Sequence, residues 1–208
     1  MVKFFSMKNA VVFSFAILFA AAAGAANLFC GDTGAEAGID FVTLGGYGSR
    51  LVPAVRDTAN AFEGKSSLRI NWVQKQQIGN TRHWLGRYIG INTPELEKNC
   101  DYTVSFYARA CADDYPLGVH LFANGGWTKD SSYYLSAKLS KEWKRYSFTF
   151  RPRYAGTAHS KCYSLNLLLP RDAKLPDGPV WFDAFQIEKG SRATAYESGQ
   201  AVAVDTRL

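Results

Sequence analysis

Hydrophobic and polar residues alternate along most of the chain after residue 26, with the two-residue period of β-strands. The clearest runs are Tyr102–Ala110, Ser132–Leu139 and Tyr163–Leu169, each bounded by turn-forming residues. Shorter runs cover residues 27–30, 68–72, 84–92, 117–123, 146–151 and the closing segment from Pro179. Residues 41–61 are Gly-rich and show no period, and no helix is predicted after residue 26. About nine short strands predict an all-β fold, a two-sheet antiparallel β-sandwich of the jelly-roll type.

The closing strand organises the predicted sandwich. Trp181, Asp183 and Phe185 alternate with Phe182 and Ala184, so both faces carry apolar residues and the strand is predicted to be central in its sheet. Alternation places Asp183 on one face with Trp181 and Phe185. A buried charge there is costly unless it is satisfied. Two interpretations stay open: the carboxylate binds neighbouring loop amides, or it binds a structural cation.

Residues 1–26 have the composition of an export signal peptide. Lys3 and Lys8 precede an uncharged apolar stretch at residues 11–23, and small residues follow at 23–26. The apolar stretch is too short to span a bilayer comfortably, which argues against an anchor. We therefore expect a secreted, periplasmic or cell-envelope protein. The predicted domain covers residues 27–198, and residues 199–208 form a tail or the start of a further domain.

Charge excludes one class of partner. The formal net charge of the 208-residue chain is +6, and it falls to +4 when Lys3 and Lys8 are removed. The remaining basic residues are spread along the chain without a Lys/Arg run, so nucleic acid is not the expected partner. No later segment has the length and apolar character of a membrane span.

The four cysteines of an exported chain predict disulfides, with three connectivities open. Cys100 and Cys111 flank one strand, so they lie roughly 35 Å apart at about 3.3 Å per residue and cannot pair with each other. We prefer Cys100–Cys162, which leaves Cys30–Cys111 as the second pair. The chain contains no Cys-x-x-Cys motif, so neither zinc binding nor redox chemistry is expected.

Five motifs follow one another in the order of a known family. Asn27-Leu28 leads into an acidic turn, and residues 64–68 (GKSSL) open a strand. Residues 102–109 resemble the family strand Y-x-x-S-F-x-A-[KR], and residues 139–150 resemble L-[ST]-x-x-W-x-x-Y-x-x-x-F. Residues 180–190 resemble the closing V-x-x-D-x-[VF]-Q-[LI]-E-x-G. The chain thus resembles the jelly-roll carbohydrate-binding modules of families 4, 9 and 22, which are galactose-binding-domain-like.

The resemblance implies a non-catalytic domain that binds polysaccharide or oligosaccharide and is often attached to a glycoside hydrolase. It also implies a structural Ca²⁺ held by Glu36 and Asp183, with Asp32 and backbone carbonyls near Lys65 as further ligands. Oxygen ligands of this kind suit Ca²⁺. Ala35 stands where the family usually has Phe.

Sugar binding needs exposed aromatic rings with polar groups beside them. Alternation predicts that several such residues share the outer, concave face of one sheet. Trp127 follows the turn at residues 124–126 and could overhang that face, and Tyr134 is preferred to Tyr133 on the neighbouring strand. Trp84 is favoured because residues 82–86 resemble a sugar-stacking stretch of family 22. The predicted carbohydrate-binding residues are Trp84, Tyr88, His120, Phe122, Trp127, Tyr134 and Asn166.

Catalysis is not expected. A retaining glycosidase needs two carboxyl groups about 5–5.5 Å apart, and no strand carries two acids on one face. Asp183 and Glu188 are separated by an odd number of residues, which predicts opposite faces. Two alternatives to a sugar-binding module stay open. One is a structural or adhesion domain of the cell envelope that binds a protein, and the other is the N-terminal part of a larger glycoside hydrolase.

Overall fold

The computed structural model describes residues 26–29, 31–39, 42–43, 54–71, 85–89, 93, 96–123, 132–153, 163–169, 176 and 178–198. These residues form ten strands and no helix. The strands are β1 (Val42–Thr43), β2 (Ala54–Asp57), β3 (Ser67–Asn71), β4 (Leu85–Ile89), β5 (Tyr102–Ala110), β6 (Tyr115–Ala123), β7 (Ser132–Leu139), β8 (Lys144–Phe150), β9 (Tyr163–Leu169) and β10 (Pro179–Lys189). No helix among the described residues has the length and hydropathy needed to cross a membrane.

The strands form two antiparallel sheets of five. The first sheet has the order β1-β4-β9-β6-β7, and the second has the order β2-β3-β10-β5-β8. The predicted all-β sandwich is therefore confirmed, and the closing strand β10 lies at the centre of its sheet as its two apolar faces indicated. The first sheet will be called sheet A and the second sheet B.

The core fills the space between the two sheets. Sheet A contributes Leu117, Val119 and Leu121 from β6 together with Leu165 and Leu167 from β9, all at most 1% exposed. Sheet B contributes the alternate residues of β3, β5 and β10, namely Leu68, Ile70, Val104, Phe106, Ala108, Val180, Phe182, Phe185 and Ile187. Because successive side chains of a strand point to opposite faces, the residues between these core positions lie on the outer faces of the sheets.

A β-bulge in β10 corrects the face assignment made from the sequence. The pairing with β5 shifts between Asp183 and Gln186, and Ala184 has a φ of 51°. The extra residue lets Phe182 and Phe185 both enter the core, although they are an odd number apart. Asp183 is therefore opposite to Phe185, and it shares the outer face of sheet B with Trp181, Gln186 and Glu188. The prediction that Asp183 and Glu188 point to opposite faces was wrong.

The outer side of β10 is held by the segments at both ends of the domain. Asn27 Nδ2 donates to the carbonyls of Phe185 (2.8 Å) and Glu197 (2.9 Å), and Asn27 Oδ1 accepts from the amides of Phe29 and Ile187, both at 3.1 Å. Glu188 in turn accepts hydrogen bonds from the amide and hydroxyl of Thr194. The sequence had suggested a strand here, but residues 27–29 form none. The Asn27 side chain and one backbone hydrogen bond, from the Leu28 amide to the Ile187 carbonyl at 2.7 Å, tie them to β10 without a ladder.

The first two strands and the start of β6 also differ from the prediction. β1 and β2 lie within residues 41–61, where no strand was predicted. Both are short strands at the edges of their sheets, so they contain too few residues to show a clear alternation. β6 begins at Tyr115, so Pro116 is its second residue rather than the end of a loop. Proline is accepted near the first residue of a strand, where its missing N–H costs little.

Candidate functional site

One row of residues crosses the whole of sheet A. Thr43 of β1 faces Tyr88 of β4, and Tyr88 faces Asn166 of β9. Asn166 faces His120 of β6, and His120 faces Tyr134 of β7. Four of the seven residues predicted to bind sugar are therefore in one register row. We call this row the central row of sheet A.

The central row lies on the face of sheet A that is turned away from the core. His120 stands between Val119 and Leu121, which are both fully buried in the core. The neighbouring row on the same face consists of Gly86, Leu168, Gly118 and Ser136. A Cβ atom at Gly118 would lie 3.3 Å from the Cβ of Leu168. Three of these four positions carry small residues, and the fourth, Leu168, is 7% exposed, so it is buried like His120 and Asn166 of the central row.

Tyr134 is the aromatic residue of the central row that faces solvent. Its relative exposure is 70%, the larger of the two values among exposed large apolar residues in the described part of the chain. Its ring stacks on the imidazole of His120, with centroids 4.2 Å apart and planes 4° from parallel. The stack uses one face of the tyrosine ring and holds the ring in a defined orientation, so the other face is presented to solvent.

His120 supports this ring from beneath. The sequence predicted that the His120 side chain points outward and can contact a ligand, but the residue is 1% exposed. Burial lowers the pKa of His120 to about 4, so the imidazole is neutral at neutral pH. A neutral imidazole has one donor and one acceptor nitrogen. The residue thus supplies a flat, uncharged surface for Tyr134 rather than a positive charge.

Asn166 is the polar member of the row next to His120. It is 5% exposed, and its Oδ1 has no hydrogen-bond partner among the described residues. A carboxamide has an acceptor oxygen and two N–H donors, which match the hydroxyl groups around a sugar ring. The placement of this residue in the row agrees with its predicted role.

The structure describes less of the three remaining residues that were predicted to bind sugar. Phe122 follows His120 by two residues in β6 and pairs with Ser132 and Ser164, so its backbone position is on the same face. Trp84 and Trp127 lie outside the described residues and stay predictions. The preference for Tyr134 over Tyr133 agrees with the structure, since the Tyr133 ring packs 5.0 Å from that of Phe150, a core residue.

Asp183 binds amides of a nearby loop. Its Oδ2 accepts from the amides of Phe62 (2.8 Å) and Glu63 (3.1 Å), and its Oδ1 accepts from the amide of Ala184 at 2.7 Å. The carboxyl group is 1% exposed, and burial raises its pKa to about 6, with a smaller contribution from the charge of Glu36. This arrangement corresponds to the first of the two interpretations of Asp183.

The two other predicted calcium ligands are also engaged by backbone amides. Asp32 accepts from the amides of Glu36, Ala37 and Gly38 within its own turn. Glu36 accepts from the amides of Lys65 and Ser66, and a Cβ atom at Gly64 would lie 2.2 Å from its Oε1. In the described part of the chain, no three His, Cys, Asp or Glu side chains form a group able to hold a metal. The residues present therefore form an amide-binding set, and the calcium site stays a prediction.

The disulfide prediction also stays open. Cys100 Sγ donates to Glu97 Oε2 at 3.3 Å, and this hydrogen bond raises the pKa of the Cys100 thiol. Cys111 is half-buried beside Gly178, where an added Cβ would lie 2.7 Å from its Sγ. Cys30 and Cys162, the predicted partners, lie outside the described residues.

A second group of aromatic residues lies on the outer face of sheet B, which sequence reasoning had not considered as a binding surface. Phe62 stacks on Tyr107 with centroids 3.5 Å apart, and it meets the edge of Trp143 at 6.1 Å. The guanidinium of Arg109 lies 5.2 Å from the centroid of Trp181. Phe62 belongs to the loop between β2 and β3, where no periodicity marks a face, so only the amide contacts of Asp183 reveal its position.

The carboxylates of β10 do not form a glycosidase pair. Asp183 and Glu188 share a face because of the bulge, and they pair with Tyr107 and Thr103 of β5. Those partners are four residues apart, which separates the two backbones by about 14 Å at about 3.4 Å per residue. Glycosidase carboxyl groups lie about 5–9.5 Å apart. The reason given from sequence for excluding this pair was wrong, but the distance excludes it as well.

Comparison with known proteins identifies the fold. No family model matches the chain, and no curated protein matches it. Among solved structures, a "Family 16 Carbohydrate Binding Module-2" is 14% identical with a TM-score of 0.51, over 77% of this chain and 99% of that one. The CBM22-1 xylan-binding domain of Paenibacillus barcinonensis Xyn10C is 19% identical with a TM-score of 0.50, over 82% of this chain and all of that one.

A third similar structure is an enzymatically active domain, that of tailspike protein 4 from bacteriophage CBA120. It is 10% identical with a TM-score of 0.54, and the match covers 79% of this chain but 21% of that one. Identities of this size show the fold and not the ligand. The chain has the β-sandwich fold of carbohydrate-binding modules, as the motif order in its sequence implied.

Proposed function

We propose that this protein is a non-catalytic carbohydrate-binding module, and that sugar binds on the outer face of sheet A. The observation that carries the proposal is the ring of Tyr134, which is 70% exposed and stacked on a buried, neutral His120. A pyranose ring has an apolar face that packs on such a platform. The polar groups of the central row continue from the platform across the sheet.

The neighbouring row supports the same proposal. Gly86, Gly118 and Ser136 are small residues beside the central row, and Leu168, the fourth residue of that neighbouring row, is 7% exposed. Asn166 lies one strand further in, with an oxygen that has no described partner. We infer that one sugar stacks on Tyr134 and that an adjacent sugar hydrogen-bonds to Asn166. Trp84 and Trp127 are proposed to extend the platform.

The similar structures support the ligand class. One is a carbohydrate-binding module by name, and another is named as a xylan-binding domain. We propose that the chain binds a polysaccharide, that it is exported by residues 1–26, and that it acts beside a glycoside hydrolase. The structural Ca²⁺ is a further part of the proposal, carried by the resemblance of the acidic turn and Asp183 to the family ligands.

Affinity electrophoresis tests the proposal. The purified protein is run through gels that contain soluble xylan, β-glucan, mannan or galactan. We expect retardation on at least one neutral glycan and its loss in Tyr134→Ala. Phe62→Ala is the matched control, since it removes the other exposed aromatic residue from the opposite face of the sandwich. Stacking on an aromatic residue contributes about 1–3 kcal/mol by alanine substitution in nucleic-acid systems, so the variant should lose most of its retardation.

Two results would contradict the proposal. If no neutral glycan retards the protein, weight moves to a cell-envelope domain that binds a protein partner. If Tyr134→Ala and Phe62→Ala reduce retardation equally, the sugar does not bind at the central row.

A further inference from the structure

Two arginines on the outer face of sheet B, Arg109 and Arg145, form no ion pair with a described residue, although Asp183 and Glu188 lie on the same face. Arg109 and Arg145 make none of the ion pairs found among the described residues, whereas Arg69 lies 3.4 Å from Asp57 and Arg151 lies 2.7 Å from Asp101. Arg145 donates to the carbonyl of Thr194 and to the hydroxyl of Ser105, both neutral acceptors. Two positive charges on this face therefore lack a negative partner within the described part of the chain.

Arg109 is held in place without using its hydrogen-bond donors. Its guanidinium lies 5.2 Å from the centroid of the Trp181 ring, and Trp181 Nε1 donates to Asp57 Oδ2 at 2.8 Å. Asp57 is also paired with Arg69, so the tryptophan is fixed from its far side. Arg109 Nε is buried and has no acceptor among the described residues, so a ligand would meet the two terminal Nη groups. The result is an oriented guanidinium fork, which suits a planar carboxylate with two acceptor oxygens.

Aromatic side chains lie around the two arginines. Tyr107 stands under Arg145, with the guanidinium carbon 5.6 Å from the ring centroid, and Phe62 lies flat on Tyr107. Phe62 is 39% exposed, and the amide contacts of Asp183 hold its loop against the sheet. The face thus combines Phe62, which is partly exposed, with the guanidinium of Arg109, two residues after Tyr107 in β5, and that of Arg145, which pairs with Tyr107 from β8.

We propose that this face, which we call the arginine face, is a second carbohydrate site, and that it binds a polysaccharide containing uronic acids. A uronate sugar has an apolar face that packs on Phe62 and a carboxylate that Arg109 binds in a bidentate manner. Arg145 adds positive charge beside it. The arginine face is separated from the central row of sheet A by the hydrophobic core, so the two sites bind independently.

Nucleic acid fits the arginine face less well. Binding of a phosphate backbone rests on many contacts, commonly 6–10, whereas this face offers two arginines without an acidic partner. A carboxylate on a sugar needs one fork and one ring, which is what the face supplies.

Titration calorimetry with polygalacturonate and with alginate tests the proposal. The matched ligands are the same polymers after reduction of their carboxyl groups to alcohols. We expect binding of at least one acidic polymer and at least tenfold weaker binding of its reduced form. Arg109→Ala and Arg109→Met should each weaken binding roughly tenfold, the effect of losing a charged hydrogen bond. The methionine variant keeps an apolar chain over Trp181, so it separates loss of charge from loss of packing.

Two variants control for site and for charge. Lys98→Ala removes one charge from an exposed position before β5, at the opposite end of that strand from Arg109, and it should change affinity by less than about twofold. Tyr134→Ala should also leave uronate binding unchanged. Each variant is first shown to unfold with the same midpoint in urea as the parent protein.

Four outcomes would overturn the proposal. The first two are no binding of either acidic polymer and an equal loss in Lys98→Ala and Arg109→Ala. The other two are loss of uronate binding in Tyr134→Ala and tighter binding of a single-stranded oligonucleotide than of the uronates. None of these four outcomes changes the result expected from the neutral-glycan gels. Failure of the arginine face and failure of the central row are therefore separate results.

Discussion

The outer faces of the two sheets differ in how their polar groups are satisfied. On sheet A, the central row keeps a neutral His120 under an exposed Tyr134, and Asn166 has an oxygen without a described partner. On sheet B, the polar groups at the centre of β10 are matched by Asn27 and Thr33, by the amides of Phe62 and Glu63, and by residues 194–197. The difference teaches that the polar groups at the centre of β10 are satisfied within the protein, whereas an acceptor oxygen of the central row has no partner among the described residues.

The two faces also respond to pH in opposite directions. Burial lowers the pKa of His120 on sheet A to about 4, and burial raises the pKa of Asp183 on sheet B to about 6. Between about pH 4 and pH 6.5, the folded protein binds fewer protons at His120 than the unfolded chain does. Between pH 3.8 and about pH 6, the folded protein binds more protons at Asp183 than the unfolded chain does. Acidification therefore destabilises the fold through His120 and stabilises it through Asp183.

The largest effect is expected from Asn27→Ala, which removes the clamp between the domain ends and β10. The change leaves the Ile187 amide and the Phe185 carbonyl without the partner that the buried Asn27 provides. At about 1–3 kcal/mol for each buried group left unsatisfied, the free energy of unfolding should fall by about 4 kcal/mol. Urea unfolding measures the loss. Asn27→Asp, which keeps the acceptor oxygen, should lose less, and an equal loss in both variants would contradict the role given to Oδ1.

His120→Phe sharpens the comparison on sheet A, because it keeps a ring under Tyr134 that does not titrate. The stability of the parent protein relative to this variant should fall by about 2.5 kcal/mol between pH 7.5 and pH 4.5. The fall starts near pH 6.5, the ordinary pKa of histidine, and ends near pH 4. Urea unfolding at several pH values tests this expectation, and a rise in relative stability over the same range would contradict a buried neutral imidazole.

Asp183→Asn is the matched change on sheet B, and the sign is reversed. In EDTA, the stability of the parent protein relative to the variant should rise by about 2 kcal/mol between pH 7.5 and pH 4.5. The carboxylate is charged and buried above pH 6, and protonation on acidification removes that penalty. The same series is then repeated with Ca²⁺. A reversed slope and a higher melting temperature with Ca²⁺ would establish the cation site that the resemblance implies, and an unchanged slope would argue against it.

The smallest effect is expected for neutral-glycan binding against pH. With a pKa of about 4, roughly 3% of His120 is protonated at pH 5.5, so the surface under Tyr134 is unchanged from pH 8 to pH 5.5. The dissociation constant for the glycan identified on the gels should vary by less than about twofold over this range. Titration calorimetry at three pH values measures it. A large change would place a titrating group in the sugar site.

The strands that were predicted best are those with long, regular alternation. Tyr102–Ala110, Ser132–Leu139 and Tyr163–Leu169 have the boundaries that the sequence predicted. β1 and β2 were missed, because two to four residues at the edge of a sheet carry too little pattern to stand out from a Gly-rich segment. The bulge in β10 was missed for a different reason. Ala184 carries no signal for a positive φ, and the shift becomes visible only when Phe182 and Phe185 both enter the core.

The sequence likewise predicted one part of the candidate site and missed another. Alternation along single strands placed Tyr88, His120, Tyr134 and Asn166 on one outer face, but it could not align them in one row, because register depends on how strands pair. It also predicted an available His120, whereas the residue is 1% exposed and serves as a support. On sheet B, Phe62 was unassigned, and Arg109 and Trp181 were not seen as neighbours, since they belong to strands far apart in the chain.

The sequence by itself determined the all-β class, the core positions of the long strands and the order of motifs shared with carbohydrate-binding modules. These properties follow from local period and composition, which each segment carries alone. Only the tertiary structure decided the central row of sheet A, the face of Asp183 and the partners of Arg109 and Arg145. Those depend on strand register, on a single inserted residue in β10 and on the way the ends of the domain fold back over sheet B, and such long-range contacts have no signature in local period.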